Sequence, residues 1–554
     1  MSPEIFAWSV VVIGFCWYLI DLVLKRHRYP KGPTPWPLVG NLLQLNPDAP
    51  HETIFEWSKT YGPVFTIWIP KPNVVITDYD LIREALVQKG DIFAGRYIGY
   101  IYGQLAPDPN GIGIILCENQ KWREQRRFSL QVLRNLGFGR SVMEERIMEQ
   151  TEQLIMRLKR RIRRTSDPAP RQHLAHVVVS FDIPLHLCVV NIINSVVMGT
   201  TWREDDPRFY HLRKMISQQI QNVQSIGMLF VDAYPWLRYL PIPGKLGLTE
   251  YLSNQAELTR FFVRQVQEHR QEMSDAQRQQ QTTKGPADLA SEYLMEIDKR
   301  QKDGLDMGWF SEWQLMCILG DLWAAGMETT VTTIRWAILY MLHNVEVQKR
   351  CRTEIRREIG DRKVCMSDRL LLPYTLATLH EVQRYANIIP INIQHKCTQD
   401  VDIGGQYIRA GTIVIPQISA VHINPEYFPE PDKFNPERFL SPDGTRVVNT
   451  ERLIPFSLGK RQCLGESLAR MELFLIFTTL MQKFDFSVVP DQELPSLRPI
   501  VGMTMAPQEY ECLISEVALD TIRENHEEPF ARPSISYATM QPQHHTQRSL
   551  YLQE

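Results

Sequence analysis

One cysteine sits in a setting that could do chemistry. It lies in Phe456-Ser457-Leu458-Gly459-Lys460-Arg461-Gln462-Cys463-Leu464-Gly465, directly ahead of the amphipathic run ESLARMELFLIFTTLMQKF. A sulfur at the mouth of a helix is stabilised as thiolate by the dipole and by free backbone N–H groups. Gly459 and Gly465 permit a tight loop and the close approach of a flat macrocycle. Phe456 can shield the sulfur from water, and the Arg461 fork suits a carboxylate such as a haem propionate. A thiolate ligand pushes electron density onto haem iron and favours O–O cleavage. Taken without its neighbours, Cys463 would read as a buried structural thiol.

The segment resembles the haem-binding loop of the cytochrome P-450 superfamily, F-x-x-G-x-R-x-C-x-G, with every position present. The resemblance continues over roughly residues 30–515 and is nearest to the microsomal branch that oxidises drugs and fatty acids. It implies a mostly α fold with small β-sheets, haem b (iron protoporphyrin IX) as cofactor and Cys463 as axial ligand of the iron. Glu381-Val-Gln-Arg384 matches the family's E-x-x-R, whose members share a helix face, and Arg438 matches a third partner in that structural network. Trp122-Arg-Glu-Gln-Arg126 matches W-x-x-x-R, which turns indole and guanidinium toward a propionate; Arg96 and His395 match two further propionate contacts. Glu328 and Thr329, in Ala325-Gly326-Met-Glu328-Thr329-Thr330, match the acid–alcohol pair that delivers protons to the distal oxygen. Gly326 is expected to leave room there for dioxygen. Alone, E-x-x-R would be a surface salt bridge, His395 a satisfied loop histidine and the 325–330 stretch a kinked core helix.

Function follows from the same resemblance. It implies a monooxygenase that inserts one atom of O2 into a lipophilic substrate, with electrons from NADPH through NADPH–cytochrome P-450 reductase and with cytochrome b5 as a second partner. Lys121, Arg123, Arg127, Arg134 and Lys460 are expected on the face that docks the reductase; the alternative is a solvated basic face. No G-x-G-x-x-G follows a strand, so NADPH is not expected on this chain. The cavity is expected to draw on Tyr100, Tyr102, Ile112, Ile114, the 208–232 region, Ala325, 388–393 and 501–504 with Met503. These are largely apolar, and no basic residue stands out as a carboxylate clamp, so fatty acids, steroids and xenobiotics stay open. An isomerase or dehydratase of lipid peroxides, needing no external electrons, is the rival enzyme; a haem-binding sensor or scaffold is the rival outside catalysis.

The elements that must position these residues show in the pattern. Apolar residues recur at helical spacing over 119–135, 141–165, 247–272, 311–342, 346–359 and 464–484. Short β-rich pieces lie at 62–79, as a hairpin turning around Lys71-Pro72-Asn73, and at 391–395, 401–408 and 412–415. Residues 274–288 read as a polar loop. At the amino end, Ile5–Ile20 carries no charge and the basic cluster Lys25, Arg26, His27, Arg28 follows. Residues 1–24 are expected to form a single transmembrane helix, placing the body on the cytosolic face of the endoplasmic reticulum membrane. Residues 25–41, basic and rich in proline, form a stiff linker, residues 42–517 one catalytic domain, and residues 518–554 a disordered tail in which His544 and His545 are solvated.

Composition sets the outer bounds. Of 554 residues, 44% are hydrophobic and 22% charged, enough for a large core; length alone would suggest three or four domains. A net charge of -2 leaves no footprint for nucleic acid. Nine scattered cysteines without C-x-x-C exclude a zinc ribbon and a disulfide scaffold.

Overall fold

The computed structural model describes residues 2–105, 108–139, 141–165, 176–223, 226–240, 247–278, 288–502 and 504–517. Met503 and the tail with His544 and His545 lie outside them. The chain divides into two units, Met1–Glu516 and Val517–Glu554, and the elements below belong to the first.

From the amino end come α1 (Pro3–Arg26), α2 (Pro50–Tyr61), the hairpin β1 (Val64–Ile69) and β2 (Lys71–Ile76), then α3 (Tyr79–Arg83), β3 (Gly95–Arg96) and α4 (Tyr100–Leu105). Next are α5 (Asn119–Asn135), α6 (Ser141–Thr165), β4 (His176–Val179), α7 (Asp182–Val197), α8 (Pro207–Val223) and α9 (Ile226–Ala233). The long helices α10 (Leu248–Arg278), α11 (Leu289–Lys302), α12 (Glu312–His343), α13 (Val345–Glu358) and α14 (Pro373–Ala386) follow. The carboxyl third holds β5 (His395–Lys396), β6 (Val401–Ile403), β7 (Gln406–Ile408), β8 (Ile413–Pro416) and α15 (Ile418–His422). It ends with α16 (Glu466–Lys483), β9 (Phe484–Ser487), β10 (Pro499–Ile500), β11 (Ala506–Pro507) and β12 (Cys512–Glu516). The expected mostly helical architecture with small sheets is the one found.

The largest sheet runs β1-β2-β8-β5-β3, with β2 and β8 parallel and its other pairs antiparallel. The hairpin turns at Pro70, not at 71–73: Ile69 pairs with Lys71, and Pro72 pairs with Trp68 just before β2 begins its pairing with β8. A proline is tolerated there because its missing N–H faces no second neighbour. The strand expected at 391–395 is reduced to His395–Lys396, since Asn392 takes a left-handed conformation (φ 60°) that extended chain cannot continue. The polar stretch after 274 starts as helix, for α10 runs to Arg278.

Helix α12 runs through the main core, burying Ile318, Leu319, Trp323, Met327, Val331, Ile334 and Ile338 against α7 and α16. Ser311 caps it by accepting the Gln314 N–H at 3.1 Å. Apolar residues on more than one of its faces let it pack against both neighbours at once. Helix α1 is formed as expected, but among the described residues no helix is long and apolar enough to cross a membrane. Its uncharged stretch spans 5–20 and is closed by Asp21, which pairs with Lys25 at 2.6 Å; a span takes about 20 residues.

Candidate active site

The loop before α16 is held by its own backbone. The Cys463 N–H donates to the Phe456 carbonyl at 3.0 Å, and Ser457 and Gly459 both have positive φ. Gly459 has no substitute: at φ 73° a Cβ would stand 1.8 Å from the Leu86 carbonyl oxygen. Gly465 is different, since a Cβ there would meet nothing within 4 Å, so no protein contact demands that glycine. Phe456 lies under the Arg470 guanidinium, 4.9 Å from its ring centre. The Cys463 side chain is exposed, yet burial pushes its thiol pKa up, against the pull of the Gly465 N–H and of Arg126. A side chain both enclosed and accessible faces internal space. A metal ion bound there would deprotonate the thiol outright.

Three guanidiniums gather close to one another, and one of them, Arg126, acts on that sulfur. Arg461 is buried and donates to the Ala94, Ile114 and Cys117 carbonyls at 2.8, 3.3 and 2.6 Å, with the Trp122 ring 4.0 Å beneath it. Arg96 donates to the Ile115, Ile393 and Gln394 carbonyls at 3.2, 3.2 and 2.9 Å. Arg126 of α5 bonds to the Gln462 carbonyl inside the cysteine loop. Burial and mutual repulsion lower the Arg461 pKa to about 8 and that of Arg96 to about 10. His395 is buried and donates Nδ1–H to the Phe93 carbonyl at 2.7 Å; burial and the nearby Arg96 hold its pKa well below normal, so the ring is neutral. Trp122 is buried with an indole N–H that has no partner. The nearest acid, Glu118, is engaged by the Arg96 N–H at 3.1 Å and by Lys396 at 2.7 Å. Crowded cations short of carboxylates, an orphaned donor and a half-open thiol together fit a group that carries two carboxylates and a metal, as haem does.

On α12, the Thr329 hydroxyl donates to the Ala325 carbonyl at 2.6 Å, and Thr333 repeats the pattern onto the Thr329 carbonyl at 2.8 Å. Such back-bonding loosens the turn. Ala325 is exposed although its helix is buried on either side. Glu328 accepts from Thr332 at 3.4 Å, one turn on. Gly326 also has a packing role. A Cβ there would stand 2.6 Å from Ile193 Cδ1, so its small size serves the packing of α12 on α7.

The remaining sequence expectations divide. Arg384 donates twice to Glu381 at 2.8 Å, and Arg438 reaches the same carboxylate at 3.2 Å; Glu381 and Arg384 are fully buried. Arg123, Arg127, Arg134 and Lys460 line one concave surface with Trp122 and Arg126. Lys121 is not part of it: buried, it pairs with Asp108 at 2.8 Å and donates to the Gly111 carbonyl at 2.6 Å. Arg123 and Lys460 share Asp91, which tempers that surface. Sequence reasoning gave Asp321 no role. It accepts the Ile114 and Ile115 N–H groups at 2.6 and 3.0 Å, and burial raises its pKa to about 6. It ties α12 to a segment whose carbonyls Arg461 and Arg96 hold from the other side. A carboxylate in an otherwise apolar helical stretch was the available signal.

Comparison with known proteins agrees with this geometry. The family model described as Cytochrome P450 matches residues 30–514. The chain is 33% identical to "Cytochrome P450 2C3" of Oryctolagus cuniculus over 511 residues, 91% of this chain and 98% of that protein. It is 35% identical to "Cytochrome P450 2C23" of Rattus norvegicus over 514 residues, again 91% and 98%. It is 33% identical to "3-ketosteroid oxygenase" of Caenorhabditis elegans over 499 residues, 90% of this chain and 82% of that protein.

Proposed function

The chain belongs to the cytochrome P450 family, and on that premise we propose that it is a membrane-associated haem b monooxygenase of lipophilic substrates, supplied with electrons by an NADPH-dependent reductase. The observation that carries the reading is Cys463, enclosed yet accessible at the mouth of α16, with Arg126 acting on it and with Arg96, Arg126 and Arg461 forming no carboxylate salt bridge among the described residues. The bound haem would supply dioxygen binding and O–O cleavage, with the sulfur as electron donor. The chain's own residues do the rest. Arg96, Arg126, Arg461, Trp122 and neutral His395 would hold the propionates. Phe456 and the Gly459 turn would shield the sulfur in the haem-loaded protein, and Gly465 leaves open space beside it. Glu328 and Thr329 sit on the back-bonded turn of α12, where a carboxyl and a hydroxyl can relay a proton inward. Glu381, Arg384 and Arg438 fix the loops before the cysteine, since a buried carboxylate stripped of its partners is strongly destabilising.

Residues 42–517 form the catalytic domain in this reading, with residues 25–41 as linker and 518–554 as tail. Helix α1 is the membrane contact that places the domain on the cytosolic side of the endoplasmic reticulum: Ile5, Phe6, Trp8, Ile13, Trp17 and Ile20 are all more than half exposed. Steroids head the substrate classes to test, because one relative is named as a ketosteroid oxygenase, and fatty acids and xenobiotics follow. The concave basic surface is the docking face for the reductase and for cytochrome b5. Replacing Cys463 by Ser tests the reading. Haem should still load, but the reduced carbonyl complex should lose the absorption band typical of sulfur ligation. A band unchanged in the variant means the ligand lies elsewhere.

A further inference from the structure

Glu472 is a buried carboxyl group that the reaction as described does not use. It lies on α16 and is 1% exposed. One of its oxygens, Oε2, is 3.0 Å from the Thr330 hydroxyl of α12, and the other, Oε1, has no partner. Burying a polar group without compensation is costly, and an ionised carboxylate with a bare oxygen is the worst case. Among the described residues, no cation meets that cost. Thr330 is the group that faces Glu472 from α12, and from α7 comes Cys188, whose thiol burial raises to about 12 with Glu472 as the next cause. Arg157 of α6 acts on Cys188. Burial raises the Glu472 pKa to about 8, and only the Thr330 bond opposes it.

Position makes the contact matter. Helix α16 starts just after Cys463, and Thr330 is the residue next to Thr329. The Thr330–Glu472 bond therefore links the helix that carries the sulfur to the helix turn that carries Glu328 and Thr329. We propose that Glu472 is a positioning residue, which fixes the proton-delivering turn of α12 relative to the sulfur-bearing helix through its buried hydrogen bond with Thr330. This rests on the monooxygenase reading for its effect on turnover, and on the burial of Glu472 with Thr330 as its partner for its effect on stability.

The pH dependence has a definite sign. In the unfolded chain Glu472 loses its proton near the ordinary value of 4.5, whereas the folded protein keeps it to about 8. Between those values the native state binds one proton more, so stability falls as pH rises across the window and levels above it.

The experiment uses the full-length, haem-loaded protein in detergent, with two readouts: melting temperature from pH 5 to 9, and product formed per reductant consumed. Glu472→Gln keeps a neutral hydrogen-bonding group. Its melting temperature should gain on the parent progressively up to about pH 8, with product yield kept. Glu472→Leu and Thr330→Val should each lower product per reductant by about fivefold to tenfold, as loss of a buried hydrogen bond predicts. A melting difference between parent and Glu472→Gln that does not change with pH overturns the neutral-acid assignment. Full yield in Thr330→Val overturns the positioning role even if Glu472→Leu does not fold. If the parent forms no oxidised product with any substrate, the monooxygenase reading fails instead, and the melting series still reports on Glu472.

Discussion

Trp122 is packed under the Arg461 guanidinium at 4.0 Å, yet its indole N–H has nothing to donate to. Indole nitrogens rarely stay so when buried, because the lost hydrogen bond is expensive. The donor belongs to the same cradle as Arg96, Arg126 and His395, all of which were named from motif positions. For Trp122 and Arg126 the i, i+4 spacing constrains direction, whereas Arg96 and His395 were reached only through the family resemblance. Lys121 was misplaced because one turn away along a basic helix, periodicity does not say which cation turns inward; Asp108 and the Gly111 carbonyl decide that. Trp122→Phe should keep the packing and remove the donor alone. Haem should then leave about three to ten times faster, from a bond worth ~1 kcal/mol, as followed by transfer of haem to excess apomyoglobin. An unchanged rate means that the indole N–H takes no propionate.

At the scale of elements, Gly326 shows how a motif residue can also be demanded by packing. Where a Cβ would stand on this residue lies Ile193 of α7. Long helices such as α5, α6 and α12 were readable from apolar spacing, because a 3.6-residue period over many turns has few rivals. Position 392 was not readable, because one left-handed asparagine is enough to cut a strand that composition favours. Nor could spacing reveal which helix lies behind Gly326, since that depends on tertiary packing. Gly326→Ala should destabilise the fold by about 1–3 kcal/mol through overpacking, in urea titrations. Adding Ile193→Ala should recover much of that loss, since residues in contact couple by about 0.5–3 kcal/mol. Additive effects would mean that the two helices do not meet at this point.

For the whole molecule the net charge of -2 conceals an uneven surface. Arg123, Arg127, Arg134 and Lys460 gather around one concavity behind the Arg126–Cys463 side, whereas among the described residues the acid paired with them is Asp91, shared by two of them. A face of this kind acts on encounter more than on final affinity, because exposed charges steer over distances that salt screens beyond about 8 Å at physiological strength. Arg127 and Arg134 are exposed and are not the cations that share Asp91. Reversing both, Arg127→Glu with Arg134→Glu, should lower reductase-dependent turnover at low salt by about tenfold or more. The same change should flatten the dependence on salt, since the attraction that salt normally weakens is gone. Substrate binding, read from the absorption shift on titration, should stay as it was, because neither arginine belongs to the propionate cradle or to the α12 turn. Parent and double variant responding alike to salt would place the electron donor on another face.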